Sequence, residues 1–140
     1  MVNWLFRSRA RKASARDLEG LMLIGLIAKE IGADLLTDSP GVPVEIHRVH
    51  ASDRISDLLK EVDDNTLLVT NLSHPMLMRP IELMDAAAVC LLNGVVPDPG
   101  LVDAAKAHGA AVMVSPCGMY ETCGRLYRFL GEEAGGRRKT

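Results

Sequence analysis

Three short apolar runs, Thr66–Thr70, Ala87–Leu92 and Ala110–Val114, recur along the chain with a helical pattern between each pair. This alternation constrains the fold more than any other feature. Apolar runs of about five residues with no polar alternation are strands buried on both faces. Helices between such strands carry the chain back over the sheet, which makes the strands parallel. The runs end in the loops Asn71–Pro75, Asn93–Gly94 and Ser115–Pro116. The spacing predicts helices over Met76–Ala86, Pro97–His108 and Gly118–Leu130, with Pro80 in a first turn or at a kink and Gly109 as a stop. Upstream, Asp17–Ile31 carries a wide apolar stripe that stops at Gly32, and Ala33–Thr37 reads as a short strand before the Asp38–Gly41 turn. Val42–Val49 alternates like a strand. Ala51-Ser52-Asp53 offers an N-cap to a helix over Arg54–Val62, with Ile55, Leu58, Leu59 and Val62 on one face. The expected fold class is α/β: a single domain, its mainly parallel sheet of four to five strands carrying helices on its faces.

Composition narrows the function. Hydrophobic residues are 48% of the chain, enough for a core without staples at this size. Aromatics are 4%, and none lies between Phe6 and Tyr120, which argues against a base-stacking platform. The net charge is −2 but unevenly spread. Residues 1–16 hold Arg7, Arg9, Arg11, Lys12 and Arg16 and no acid, and Arg137, Arg138 and Lys139 close the chain. All 18 acids therefore meet only the other 8 basic residues, giving −10 over 17–136. The expected organisation is a basic arm at 1–16, an α/β domain at 17–130 and a basic tail at 131–140. Basic ends on an acidic body are solvated tails, or docking segments for an anionic surface or partner subunit, with Trp4-Leu5-Phe6 leading the arm. No nucleic-acid partner is expected. Leu21–Ala28, the longest apolar run, is less than half a membrane span, and Asp17 and Glu19 precede it, unlike a secretory signal. With three cysteines and no disulfide framework, the expected compartment is the cytoplasm.

Several stretches carry a resemblance. They are Ala51-Ser52-Asp53-Arg54-Ile55-Ser56-Asp57, Thr66–Thr70, Cys90-Leu91-Leu92-Asn93-Gly94 followed by Pro97, and Val112–Pro116 running into Met119-Tyr120-Glu121-Thr122-Cys123. In order and spacing, the segment from about Ile24 to Leu130 resembles the DRTGG domain family, small α/β regulatory modules. They stand alone or accompany catalytic domains in some phosphotransacetylases and CBS-type pyrophosphatases, and are related to the N-terminal domain of HPr kinase/phosphorylase. The chain looks closest to the stand-alone members. It departs from the family's letters where Ser73-His74 stands for Asp-Arg and Leu92-Asn93-Gly94 for Thr-Gly-Gly. The resemblance implies a non-catalytic regulatory module that often forms homodimers. Met76, Met78, Leu83 and Met84, more apolar side chains than one helix face needs, point the same way.

Ligands of open parallel sheets settle outside the carboxyl ends of the strands. The residues expected there are Ser52, Asp53, Asn71, Ser73, His74, Asn93, Gly94, Ser115 and Cys117. Two readings stand side by side: a rim that holds a small anionic or nucleotide-like ligand through backbone N–H groups, and plain helix caps. His74 reads as an exposed acid, base or phosphate contact, or as a loop-bracing residue. His47 and His50, three apart on a strand, point to opposite faces and form no metal pair. His108 ends a helix, where a cation complements the carbonyl dipoles. Cys117 reads as a helix N-terminal thiol, Cys123 lies on the other side of that helix, and Cys90 is core. No Cys-x-x-Cys, phosphate loop, dinucleotide turn or nucleophile elbow is present. No cofactor or metal is expected, and no catalytic residue is assigned. The leading expectation is a ligand-sensing or partner-docking module. The alternatives are an assembly subunit tethered to a larger enzyme by its basic arm, and an enzyme working through His74 and Cys117.

Overall fold

The computed structural model describes residues 24–37, 46–60, 62–72 and 77–131. The basic arm, the tail beyond Gly131 and the 38–41 turn lie outside them. Residues 24–31 are helical (α1) and lead into β1 (Asp34–Thr37). Then follow β2 (Arg48–Ala51), α2 (Ile55–Leu58), β3 (Thr66–Thr70), α3 (Met78–Met84), β4 (Ala88–Leu91), α4 (Pro99–Ala107), β5 (Ala111–Val114) and α5 (Met119–Leu130). The five strands form one sheet in the order β1-β5-β4-β3-β2; β2 to β5 are parallel and β1 runs antiparallel to β5.

Strand alternation splits the core in two. Leu67, Val69, Ala88, Cys90, Ala111 and Met113 face α1 and α5, packing with Ile24, Ile27, Ala28, Ile31 and Leu126. Leu68, Val89, Leu91, Val112 and Val114 face the other way, against Leu58 of α2, Leu77 and Ile81 of the α3 region, and Leu101 and Ala105 of α4. Each fully buried Leu or Ile contributes about 1.5–3 kcal/mol. One-way right-handed crossovers from β2 to β5 put α2, α3 and α4 on a single face. Pro80 is the third residue of α3, where its missing N–H has no intrahelical partner to lose. At the β1 edge the ladder is irregular between Leu35 and Thr37. There the buried Thr37 hydroxyl donates to the Ala110 carbonyl at 3.1 Å and accepts from the Val112 N–H at 3.1 Å.

Two expectations are corrected. The second strand begins at Arg48 and runs through Ala51; Ile46 and His47 precede it, and 42–45 lie outside the described residues. Its register is set by β3, with Arg48 opposite Thr66 and Ala51 opposite Val69, and its own residues are too exposed to carry the pattern. The helix expected over Arg54–Val62 is one turn, Ile55–Leu58, with Arg54 at its N-cap and no side-chain cap bond.

Candidate functional site

At the carboxyl edge, the loop after β4 leads to α4 on one face of the sheet, and the loop after β5 leads to α5 on the other. Neighbouring strands whose connections diverge open a crevice, the usual ligand position in such sheets. Here that crevice is zipped. The Asn93 N–H donates to the Cys117 carbonyl at 2.9 Å, and the Gly94 N–H donates to the Ser115 carbonyl at 2.8 Å. The Asn-Gly pair makes this possible, because both residues are left-handed, at φ 59° and 64°, and Val95 N–H closes the turn onto Leu92. Paired left-handed residues are the preference of Asn-Gly.

A second set of bonds ties the loops together laterally. The Asp53 carboxylate accepts from the Asn71 N–H at 2.6 Å, from the Asn71 side-chain amide at 2.9 Å and from the Thr70 hydroxyl at 3.3 Å. Asn71 in turn accepts from the Asn93 side-chain amide at 3.0 Å. The rim is thus a chain, Asp53–Asn71–Asn93, spanning the ends of β2, β3 and β4. The Asn71 side-chain bond, then its backbone bond, hold the Asp53 carboxyl below its ordinary 3.8; slight burial acts the other way and Thr70 adds to the lowering.

The turn from β5 into α5 is built on buried hydroxyls. Ser115 and Thr122, both fully buried, share a 2.7 Å hydrogen bond. Ser115 Oγ also accepts from the Cys117 N–H at 3.1 Å, and Thr122 Oγ1 reaches the Cys117 carbonyl at 3.4 Å. The helix then starts at the N-cap Gly118 without a side-chain cap. By contrast, Asp98 caps α4, accepting from the Gly100 N–H at 2.7 Å. The leading N–H groups of α5, like those of α2 and α3, are therefore donors at this edge that no side chain has taken.

Of the expected rim residues, Asp53, Asn71, Asn93, Gly94, Ser115 and Cys117 are joined by these bonds. Ser52 turns toward α2: its hydroxyl donates to Asp57 at 3.1 Å and accepts from the Arg54 N–H at 3.0 Å, a local brace. Ser73 and His74 lie outside the described residues, as does Met76. Sequence reasoning missed Thr70 and Thr122, whose hydroxyls organise two of the loops. The signal was a threonine closing a buried strand and one four residues before Leu126 on a helix. His50 lies in β2 while His47 precedes it. Cys90 is fully buried, and burial, with Cys123 nearby, pushes its thiol up to about 12. Burial also pushes Cys123 up. Among the described residues no three His, Cys, Asp or Glu are grouped to hold a metal ion. No helix among them is long and apolar enough to cross a membrane. A groove of about 400 Å³, unforeseen from the sequence, lies beside α1 and α5, lined by Glu30, Glu121, Arg125, Arg128 and Phe129. Arg125 braces it, donating to the Ile31 carbonyl at 3.0 Å and to Glu121 at 2.9 Å.

No family model matches the chain, and no curated protein matches its sequence. Its fold is similar to the crystal structure of the CBS and DRTGG domains of the regulatory region of Clostridium perfringens pyrophosphatase, complexed with the activator diadenosine tetraphosphate. The TM-score is 0.66 at 8% identity, over 90% of this chain and 56% of that one. The chain thus spans about half the length of that structure, and the likeness is one of fold.

Proposed function

We propose that this chain is a non-catalytic regulatory module of the DRTGG type, which senses a small anionic or nucleotide-like ligand at the carboxyl edge of its sheet. The observation that carries this reading is the uncapped start of α5, set directly after the point where the β4 and β5 loops are bonded together at Asn93 and Cys117. A helix N-terminus offers N–H donors and a positive dipole end to an anion. Asn93 and Asn71 supply amides beside it, and Gly94, Ser115 and Cys117 shape the crevice. Asp53 holds Asn71 in place. Ser73 and His74 belong to the same proposed rim through their place in the sequence after β3.

Two considerations support the reading. The structure of similar fold is a regulatory region bound to a nucleotide activator. Asn71 and Asn93 are exposed and bonded mainly to each other and to Asp53, so a ligand can exchange partners with them without disturbing the core. In this reading the module acts on a larger partner enzyme and has no catalysis of its own.

A thermal-shift screen of the full chain against nucleotides, diadenosine tetraphosphate, phosphate esters, acyl phosphates and divalent metals tests it. A ligand at about 100 times its Kd adds roughly 2.7 kcal/mol, a clear midpoint shift. A selective shift that disappears in Asn93→Ala is expected. A flat screen across all these classes overturns the ligand-sensing reading.

A further inference from the structure

Only five of the 140 residues are aromatic, and three of them, Tyr120, Tyr127 and Phe129, stand on α5. None belongs to either core; Tyr120 is 93% exposed and Tyr127 55%. Exposed tyrosines concentrated on one helix mark a contact surface rather than a core. At 100° per residue, Thr122 and Leu126 define the buried side of α5. The opposite ridge is then Tyr120, Glu121, Gly124, Tyr127 and Arg128. Gly124 sits in its middle with ordinary backbone angles, and a Cβ placed there meets nothing within 4 Å. Glycine is the poorest helix former after proline, and no contact among the described residues calls for it here. It does leave a notch where another helix can approach.

The ridge is complementary to itself. Glu121 and Arg128 lie nearly equidistant from Gly124 on either side, as do Tyr120 and Tyr127. A two-fold axis at Gly124, with the helices antiparallel, sets Glu121 within one 1.5 Å step of Arg128 of a second copy, and Tyr120 equally near Tyr127. Arg128 has no hydrogen-bond or ion-pair partner among the described residues. We propose that α5 is the seam of a homodimer, an antiparallel pair crossing at Gly124 with reciprocal Glu121–Arg128 contacts.

Sedimentation of the full chain tests this by charge exchange. The wild type is expected at twice 15.2 kDa. Glu121→Arg and Arg128→Glu, both exposed changes, should each sediment as monomers; Glu121→Arg also gives up the 2.9 Å bond from Arg125, so circular dichroism checks that both variants keep the fold. Mixed in equal amounts they should dimerise again, because each then meets the opposite charge. A wild type at 15.2 kDa at its highest soluble concentration overturns the proposal. So do single variants that stay dimeric, or a mixture that stays monomeric.

Discussion

Asn71 grips Asp53 with two groups at once, its backbone N–H on one carboxylate oxygen at 2.6 Å and its side-chain amide on the other at 2.9 Å. The two residues follow different strands, so this pair fixes the β2 loop against the β3 loop. Through the Asn93 amide on Asn71, the constraint passes to the loop after β4. An anion arriving at the edge must compete with a carboxylate already in place, which makes the Asp53 charge a determinant of how readily the rim exchanges partners.

Replacing Asp53 by Ala should therefore destabilise the fold by about 1 kcal/mol, the net worth of a few exposed bonds after solvent screening. Because the folded carboxyl lies below its ordinary 3.8, its contribution is present above that pH and is lost as pH falls through the folded value. Melting curves between pH 2 and pH 7, on the order of one point per half unit, should show the variant and wild type converging at the acid end. A constant difference across the series assigns the loss to packing instead of charge.

Gly94→Ala should cost about 1 kcal/mol, since Gly94 holds φ 64° while a Cβ there meets nothing within 4 Å. The penalty is one of backbone conformation alone. Urea titration should give a lower midpoint at unchanged slope. An unaltered midpoint means that the Asn93-Gly94 turn has relaxed, and the two bonds to Cys117 and Ser115 with it.

The buried strands were legible because their residues carry the signal themselves: every position of β3, β4 and β5 is buried, so the apolar runs mark them. β2 was misplaced because an edge strand with half-exposed residues takes its register from its neighbour. The direction of β1, antiparallel to β5, was equally invisible in its own residues. At the rim, the sequence named Asp53, Asn71 and Asn93 but not their mutual bonds. A polar residue at a loop says nothing of its partner, and Asn71 and Asn93 stand 22 positions apart. The ridge on α5 needed the fold, because only burial of Thr122 and Leu126 tells which side faces out.

Cys90 should resist thiol reagents in the folded protein. With its thiol pushed up to about 12, the thiolate fraction at pH 8 is about one in ten thousand, and the side chain is fully buried besides. Labelling should proceed at Cys117 and Cys123, which are half-buried, and reach three per chain only in denaturant. Modification of Cys90 at the rate of the other two points to opening of β4 from the sheet.

The Ser115–Thr122 pair gives the sharpest test of how the α5 start is held. Both side chains are fully buried, and each hydroxyl answers the other at 2.7 Å while also serving the Cys117 backbone. Thr122→Val keeps the volume but strands the Ser115 hydroxyl and a carbonyl contact, for a cost of about 1–3 kcal/mol. Ser115→Ala exposes the Cys117 N–H to the same penalty. Because the two changes remove one shared bond, the double variant should lose less than the sum, with a coupling of about 1–2 kcal/mol in a double-mutant cycle. If the losses simply add, the hydroxyls act separately and the turn is held by the backbone bonds from Asn93 and Gly94. In that case Asn93→Gly should leave it intact, since glycine accepts φ 59° and keeps the backbone N–H.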